Sequence, residues 1–167
     1  HAGGLRVGSL TQDVRVDERL TAHQAILGDT AEHTWAGDAR VREVLDGLGM
    51  HEVGLDAVVG SMSGGERRRV ALAALLIGDW DLIVLDEPTN HLDVEAIAWL
   101  ADHLKRRSSA LVVVTHDRWF LDEVCEQTWE VHDGVIDLYE GGYAAFVLAK
   151  NERMRQASAS EQRRQNL

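Results

Sequence analysis

The sequence predicts an α/β fold with a mostly parallel sheet, and three stretches carry that reading. Leu82–Leu85 is a continuous apolar run without alternation, which suits a strand buried on both faces of a parallel sheet. Ala110–Val114 is a second run of the same kind. Between them Val94, Ile97, Ala98, Ala101 and Leu104 follow the i, i+3, i+4 rhythm of an amphipathic helix. The first run ends in two adjacent carboxylates, Asp86 and Glu87, followed by Pro88, which cannot continue a central strand. The second ends in Thr115-His116-Asp117. Ligands of open α/β sheets sit just past the carboxyl ends of the strands. Charge there is costly to bury unless it serves a metal or a substrate. One carboxylate for Mg²⁺ and one to activate water is what metal-assisted phosphoryl transfer needs, and His116 can reach the same ligand. Read alone, a strand ending in an acidic turn explains Asp86-Glu87 equally well.

Composition sets the outer limits. A chain of 167 residues has room for one domain with a sizeable core. Its net charge of −11, from 17 basic and 28 acidic residues, argues against a general nucleic-acid-binding surface. Cys125 stands alone, so no internal disulfide forms and a reducing compartment is expected. The longest strongly apolar run, Val70–Ile77, is too short to span a bilayer, and the N-terminus lacks a signal-peptide pattern. The expectation is a soluble, cytoplasmic protein. Because the sequence opens on His1 rather than Met, it is also expected to be a piece of something longer.

Along the chain, Leu5–Leu10 reads as a short strand, with Leu5 and Val7 on one face, leading into a polar loop that contains Gln12. From Asp17 to Val59 the pattern is helical and interrupted: Leu20, His23, Gln24 and Leu27 fit one helix, and Val41, Val44, Leu45 and Leu48 fit another that stops at Gly49. This segment reads as a small helical subdomain. His23, His33 and His51 lack metal-ligand spacing.

Ser61–Arg69 is the second informative stretch. Ser63 and Glu66 have capping-box spacing, which starts a helix whose apolar stripe is Val70, Ala73, Ala74 and Ile77. Gly64 and Gly65 allow a ligand close to the backbone, and the helix N-terminus favours an anion such as phosphate. A plain capped helix after a glycine turn accounts for the same residues. The Arg67–Arg69 run reads as a solvated helix face.

Asp93 and Glu95 favour the start of the helix after the carboxylates, and Lys105–Arg107 its end. Further on, Asp133-Gly134 between Trp129–His132 and Val135–Leu138 is a strong hairpin signal, expected to close the sheet with antiparallel strands. Residues 150–167 hold Lys150, Arg153, Arg155, Arg163 and Arg164 against Glu152 and Glu161, with no Gly or Pro. They suit an exposed basic helix leaving the domain, with RNA contact a hypothesis.

Taken together, Gln12, Ser63-Gly64-Gly65-Glu66, Asp86-Glu87, Asn90-His91-Leu92-Asp93 and His116 occur in the order of an ABC-type ATPase domain. They resemble its Q-loop, signature, Walker B, D-loop and switch histidine. Glu66 in the signature and Thr89–Asp93 after Glu87 look like the ABC-F family of soluble, tandem-domain ATPases that act on the ribosome. Met62 stands where that family usually has Leu, and Gly142 where Asn is common. The phosphate-cradling G-x-x-x-x-G-K-[ST] loop is absent: the two lysines, Lys105 and Lys150, follow Leu104 and Ala149, so no Gly-Lys pair exists. In the family that loop precedes the Q-loop, and truncation upstream of His1 is the simpler expectation than a degenerate domain.

The resemblance implies a partial ABC nucleotide-binding domain over 1–149, with a helical subdomain at about 17–78 and a C-terminal antiparallel hairpin. Residues 150–167 would begin a basic interdomain linker helix. It implies ATP and Mg²⁺, with Glu87 polarising the attacking water, Asp86 holding the metal through water, Gln12 contacting metal and water, and His116 touching the γ-phosphate. Ser63, Gly64, Gly65 and Glu66 would bind the ATP held by a second ATP-binding domain, with Asp93 at that interface. The stretch between Gln12 and Ser63 is nearly filled by the helical subdomain, so a long inserted arm is expected to be absent or very short. The implied function is a ribosome-acting ATPase without membrane insertion. The ATPase subunit of a membrane transporter and a non-catalytic interaction fragment stand as the alternatives.

Overall fold

The computed structural model describes residues 3–165. The chain forms two compact units, one ending at His116 and one starting at Asp117. In the first, β1 (Val7–Leu10), β2 (Leu82–Asp86) and β3 (Ala110–Val114) build a parallel sheet in the order β1-β2-β3. Leu10 lies beside Leu85, and Asp86 beside Val114. Only one face of that sheet is well covered. Gly8, Leu10, Ile83 and Leu85 are buried, whereas on the other face Leu82 and Val84 are half-buried and Val7, Val112 and Val114 are exposed. The expectation of a central strand buried on both faces therefore holds for one face. The strand expected from Leu5 begins at Val7, and both Leu5 and Val7 are exposed.

Between β1 and β2 lies the expected helical segment. It contains α1 (Ala22–Leu27), α2 (Glu32–Trp35), α3 (Ala39–Gly47), α4 (Met50–Val53) and a 3₁₀ turn at Val59–Ser61. Helices this short are unstable in isolation. Side-chain caps start two of them: Thr21 and Gln24 form a reciprocal capping box on α1, and Asp38 caps α3. Burial does the rest, through Val41, Val44, Leu45, Leu48 and Met50, with α1, α3 and α4 packed on α5 (Gly64–Ile77). Leu48, Leu72, Leu76 and Leu100 are all but fully buried, and Leu→Ala at such positions costs about 2–5 kcal/mol.

Helix α5 buries Arg68, Val70, Leu72, Ala73, Leu75 and Leu76, a wider band than the expected stripe, whose Ala74 and Ile77 are half-buried. It packs on both β1 and the short helices, which explains the width. Helix α6 (Val94–Lys105) departs further. Val94 is 77% exposed and Ala98 exposed, while Ala96, Leu100, Ala101, His103 and Leu104 are buried. The buried stripe is turned from the expected one, and Val94, next to the Asp93 cap, faces out in the first turn.

The second unit holds α7 (Arg118–Val124), β4 (Gln127–His132), β5 (Val135–Glu140) and α8 (Tyr143–Gln165). The hairpin turn has Asp133 at φ 48° and Gly134 at φ 75°, the paired left-handed residues of a type I′ turn. Among the described residues β4 and β5 form a two-stranded sheet of their own, rather than an antiparallel extension of the parallel sheet. Tyr139 is buried on the face covered by α8, edge-on to Phe146 at 5.0 Å. Trp129, Val131, Ile136 and Leu138 project from the opposite, exposed face. The basic helix starts earlier than Lys150, and its first cations are committed: Lys150 pairs with Glu130, and Arg153 lies 3.8 Å from Asp137 and stacks over Tyr139 at 4.6 Å. Arg155 and Arg164 are exposed.

Candidate functional site

Because the three strands run parallel, their carboxyl ends share one edge. Thr11 and Gln12 follow β1, Asp86 ends β2 with Glu87 next after it, and Thr115 and His116 follow β3. Four of the expected site residues (Gln12, Asp86, Glu87 and His116) thus come to a single sheet edge. Gln12 is exposed in its loop and Asp86 is half-buried.

Glu87 is the constrained member. Its backbone sits at φ 49°, the left-handed region that non-glycine residues rarely adopt. Its N–H donates to Val114 O at 2.7 Å, and its carbonyl accepts from Asn90 N–H at 3.2 Å. The turn lifts the side chain off the strand and towards the residues after β3. There the carboxylate accepts from the Thr115 hydroxyl at 3.2 Å and from the His116 N–H at 3.3 Å. The other carboxylate oxygen lies 3.4 Å from His116 Nε2. The Glu87 side chain is 10% exposed and that of His116 is 99% exposed, so an oriented carboxylate meets an imidazole open to a ligand. The carboxylate is thus held in one direction beside an imidazole that faces solvent.

At the start of α5, the Ser63 hydroxyl accepts from Glu66 N–H at 3.3 Å, and Glu66 accepts from Ser63 N–H at 2.7 Å and from its hydroxyl at 2.8 Å. The Ser63 N–H, and then its hydroxyl, hold the Glu66 carboxyl below the usual carboxylate range. The expected capping box is present, and Glu66 itself serves the helix start. A Cβ on Gly64 would meet nothing within 4 Å, so its backbone is open to a ligand. A Cβ on Gly65 would stand 3.1 Å from His91 Cβ, so glycine there permits a close approach to the Asn90–Asp93 loop. Asp93 accepts from Ala96 N–H at 2.8 Å as the cap of α6, and is exposed.

The expectation of a solvated Arg67–Arg69 face is overturned. Arg68 is buried, Arg67 bonds Glu18 and the carbonyls of Gly60 and Met62, and Arg69 lies 3.8 Å from Glu52. Arg68 donates to the carbonyls of Thr11, Asp86 and Glu87. Sequence reasoning missed it and Thr115. The available signal for Arg68 is its spacing to Leu72, Leu75 and Leu76, which puts it on the helix's buried side.

Asp86 beside the Gln12 loop offers hard oxygen ligands at one strand edge, a set that fits Mg²⁺, which retains several waters and takes few protein ligands. Another group of potential ligands, Glu130, His132 and Asp137, lies in the second unit. There Lys150 and Arg153 already supply the positive charge. A groove of about 840 Å³ along β1 is lined by Leu10, Thr11, Gln24 and Trp80, and excludes Asp86, Glu87 and Ser63.

The ABC transporter family profile matches residues 2–90, more than half of the chain. The chain belongs to this family. Among ABC relatives, it is 38% identical over 96% of its length to the uncharacterized ABC transporter ATP-binding protein YfmR of Bacillus subtilis, covering 25% of that protein. It is 43% identical over 82% of its length to the energy-dependent translational throttle protein EttA of Mycobacterium tuberculosis, again covering 25% of it. It is also 38% identical over 77% of its length to ABC transporter F family member 5 of Arabidopsis thaliana, covering 18% of that protein. A solved archaeal ribosome recycling factor, aABCE1, in complex with the ribosomal stalk protein aP1, superposes with a TM-score of 0.70 over 87% of this chain and 30% of that one, at 26% identity. The ABC chain therefore spans about a quarter or less of the length of these curated relatives. The fold is that of a partial ABC nucleotide-binding domain.

Proposed function

We propose that this chain is part of the first ATPase domain of an ABC-F protein that acts on the ribosome and hydrolyses ATP when clamped against a second ATP-binding domain. The observation that carries the reading is the oriented Glu87 carboxylate next to an open His116, within a chain 43% identical to a translational throttle protein. In this reading Glu87 accepts the proton of the attacking water, and Thr115 and the His116 N–H fix the carboxylate's direction. His116 presents its imidazole to the γ-phosphate. Asp86 and Gln12 would hold Mg²⁺, which would neutralise charge on the phosphates. Ser63, Gly64 and Gly65 at the start of α5 receive the nucleotide held by the opposite domain, with Glu66 bracing the turn and Asp93 at that interface.

The chain has no Gly-Lys pair for a phosphate loop, so turnover is assigned to the full-length protein and this chain alone is expected to be inactive. A cytoplasmic location is part of the proposal. Among the described residues no helix is long and apolar enough to cross a membrane. Lys150 and Arg153 are engaged by hairpin carboxylates, so RNA contact from α8 falls to cations beyond them, Arg155 and Arg164 among them. Cell fractionation tests the reading. The full-length protein should sediment with ribosomes and leave them at raised salt, whereas sedimentation with membranes and release only by detergent would favour a transporter subunit.

A further inference from the structure

Arg68 joins three parts of the site that are distant in sequence. From the first turns of α5, Nη1 donates to Thr11 O at 3.2 Å, and Nη2 donates to Glu87 O at 3.0 Å and to Asp86 O. Thr11 precedes Gln12, and the other two carbonyls belong to the paired carboxylate residues. The side chain is buried, with its Nε–H unpartnered among the described residues. Its acceptors are backbone carbonyls rather than a carboxylate, so what this buried charge holds is main-chain position. That position is unusual: Glu87 is in the left-handed region, which costs of order 1–3 kcal/mol and persists only where the surroundings enforce it. Two groups enforce it at the Glu87 carbonyl, the Asn90 N–H and Arg68.

We propose that Arg68 is a positioning residue for hydrolysis: its guanidinium fork fastens the signature helix to the Gln12 loop and to the Glu87 turn, so that docking at the signature is felt by the base and by the metal-contacting glutamine. This rests on the functional reading above and adds the element that couples its parts. A fork is needed because the acceptors diverge; lysine, a point charge on a flexible stem, cannot hold carbonyls of two separate strand ends in fixed geometry. The neighbouring Arg67 and Arg69 engage Glu18, Gly60, Met62 and Glu52 instead, so neither substitutes for it.

The test uses the full-length protein with its second ATP site silenced, comparing Arg68→Met and Arg68→Lys with the unsubstituted protein. Hydrogen exchange without nucleotide is the first measurement. Both variants should exchange faster at residues 11–13 and 87–91 together, while the interior of β2 and β3 stays protected. Steady-state kinetics is the second. Misplacing a reacting group by about 1 Å costs on the order of 10²-fold, so kcat should fall by roughly that factor in Arg68→Met with KM little changed. Arg68→Lys, which keeps the charge and serves where Arg68→Met fails to fold, should recover only part of kcat. Unchanged exchange in both loops, or full kcat in Arg68→Lys, would overturn the proposal. A lack of ATP hydrolysis in the unsubstituted protein would instead overturn the functional reading, and the exchange measurement would still decide whether Arg68 ties the two loops.

Discussion

The Glu87 carboxylate turns back onto His116, accepting its backbone N–H at 3.3 Å and lying 3.4 Å from its Nε2. The two residues are 29 apart in sequence, and only a parallel pairing of β2 with β3 brings their strand ends together. The contact orients the carboxylate before any ligand arrives. An oriented, water-poor carboxylate is a better base than one free to rotate, since the geometry for proton transfer is already set.

With no Gly-Lys pair in its sequence, this chain on its own should neither bind ATP tightly nor turn it over. Calorimetric titration of the isolated chain with MgATP should give no micromolar isotherm. A micromolar Kd would show that the strand edge and the α5 turn suffice for binding.

Asp93 caps α6 through Ala96 N–H at 2.8 Å, a structural duty separate from the interface role proposed for it. Asp93→Ala should lower stability by about 1 kcal/mol, and Asp93→Ser, which preserves the cap, by much less. Chemical denaturation of both variants measures this. If Asp93 also serves the domain interface, both substitutions should lower ATPase activity of the full-length protein, whereas a purely capping role would spare Asp93→Ser.

Glu66 makes the start of α5 sensitive to acid. Its folded-state carboxyl is held low first by the Ser63 N–H and then by the Ser63 hydroxyl. Its contribution is therefore complete above the ordinary glutamate value and is lost as pH falls through the lower folded value. The protection factor of the Ser63 amide, followed by NMR from about pH 6 downward, should fall at acid pH as Glu66 takes up its proton. Glu66→Gln should abolish that acid-dependent fall, because the amide keeps an acceptor without titrating.

Much of this was legible before the structure. The two apolar runs with an amphipathic helix between them are β2, α6 and β3, and Ser63 with Glu66 marks the start of α5, because these signals are local. Asp133-Gly134 likewise fixes its turn. The phase of α6 was not legible, since alanines at 96, 98 and 101 fit several stripes and packing against distant elements decides among them. Nor was Arg68, whose acceptors lie 57, 18 and 19 residues away, so a run of three arginines reads as a wet surface until the fold supplies their partners. The gathering of Gln12, Asp86, Glu87 and His116 at one edge was expected, whereas the strained turn at Glu87 and the Thr115 contact depend on the pairing of β2 with β3, which no local signal carries.

The most direct measurement compares nucleotide binding with turnover for Glu87→Gln in the full-length protein, with the other site already inactive. The amide keeps the side chain's shape and reach but accepts no proton, and general-base contributions are typically about 10²- to 10⁴-fold. Hydrolysis should fall by that order while MgATP still binds and the clamped, ATP-bound form accumulates. Asp86→Asn, by contrast, should weaken binding itself through loss of Mg²⁺. Near-normal turnover in Glu87→Gln would contradict the account, because the base would then be some other group.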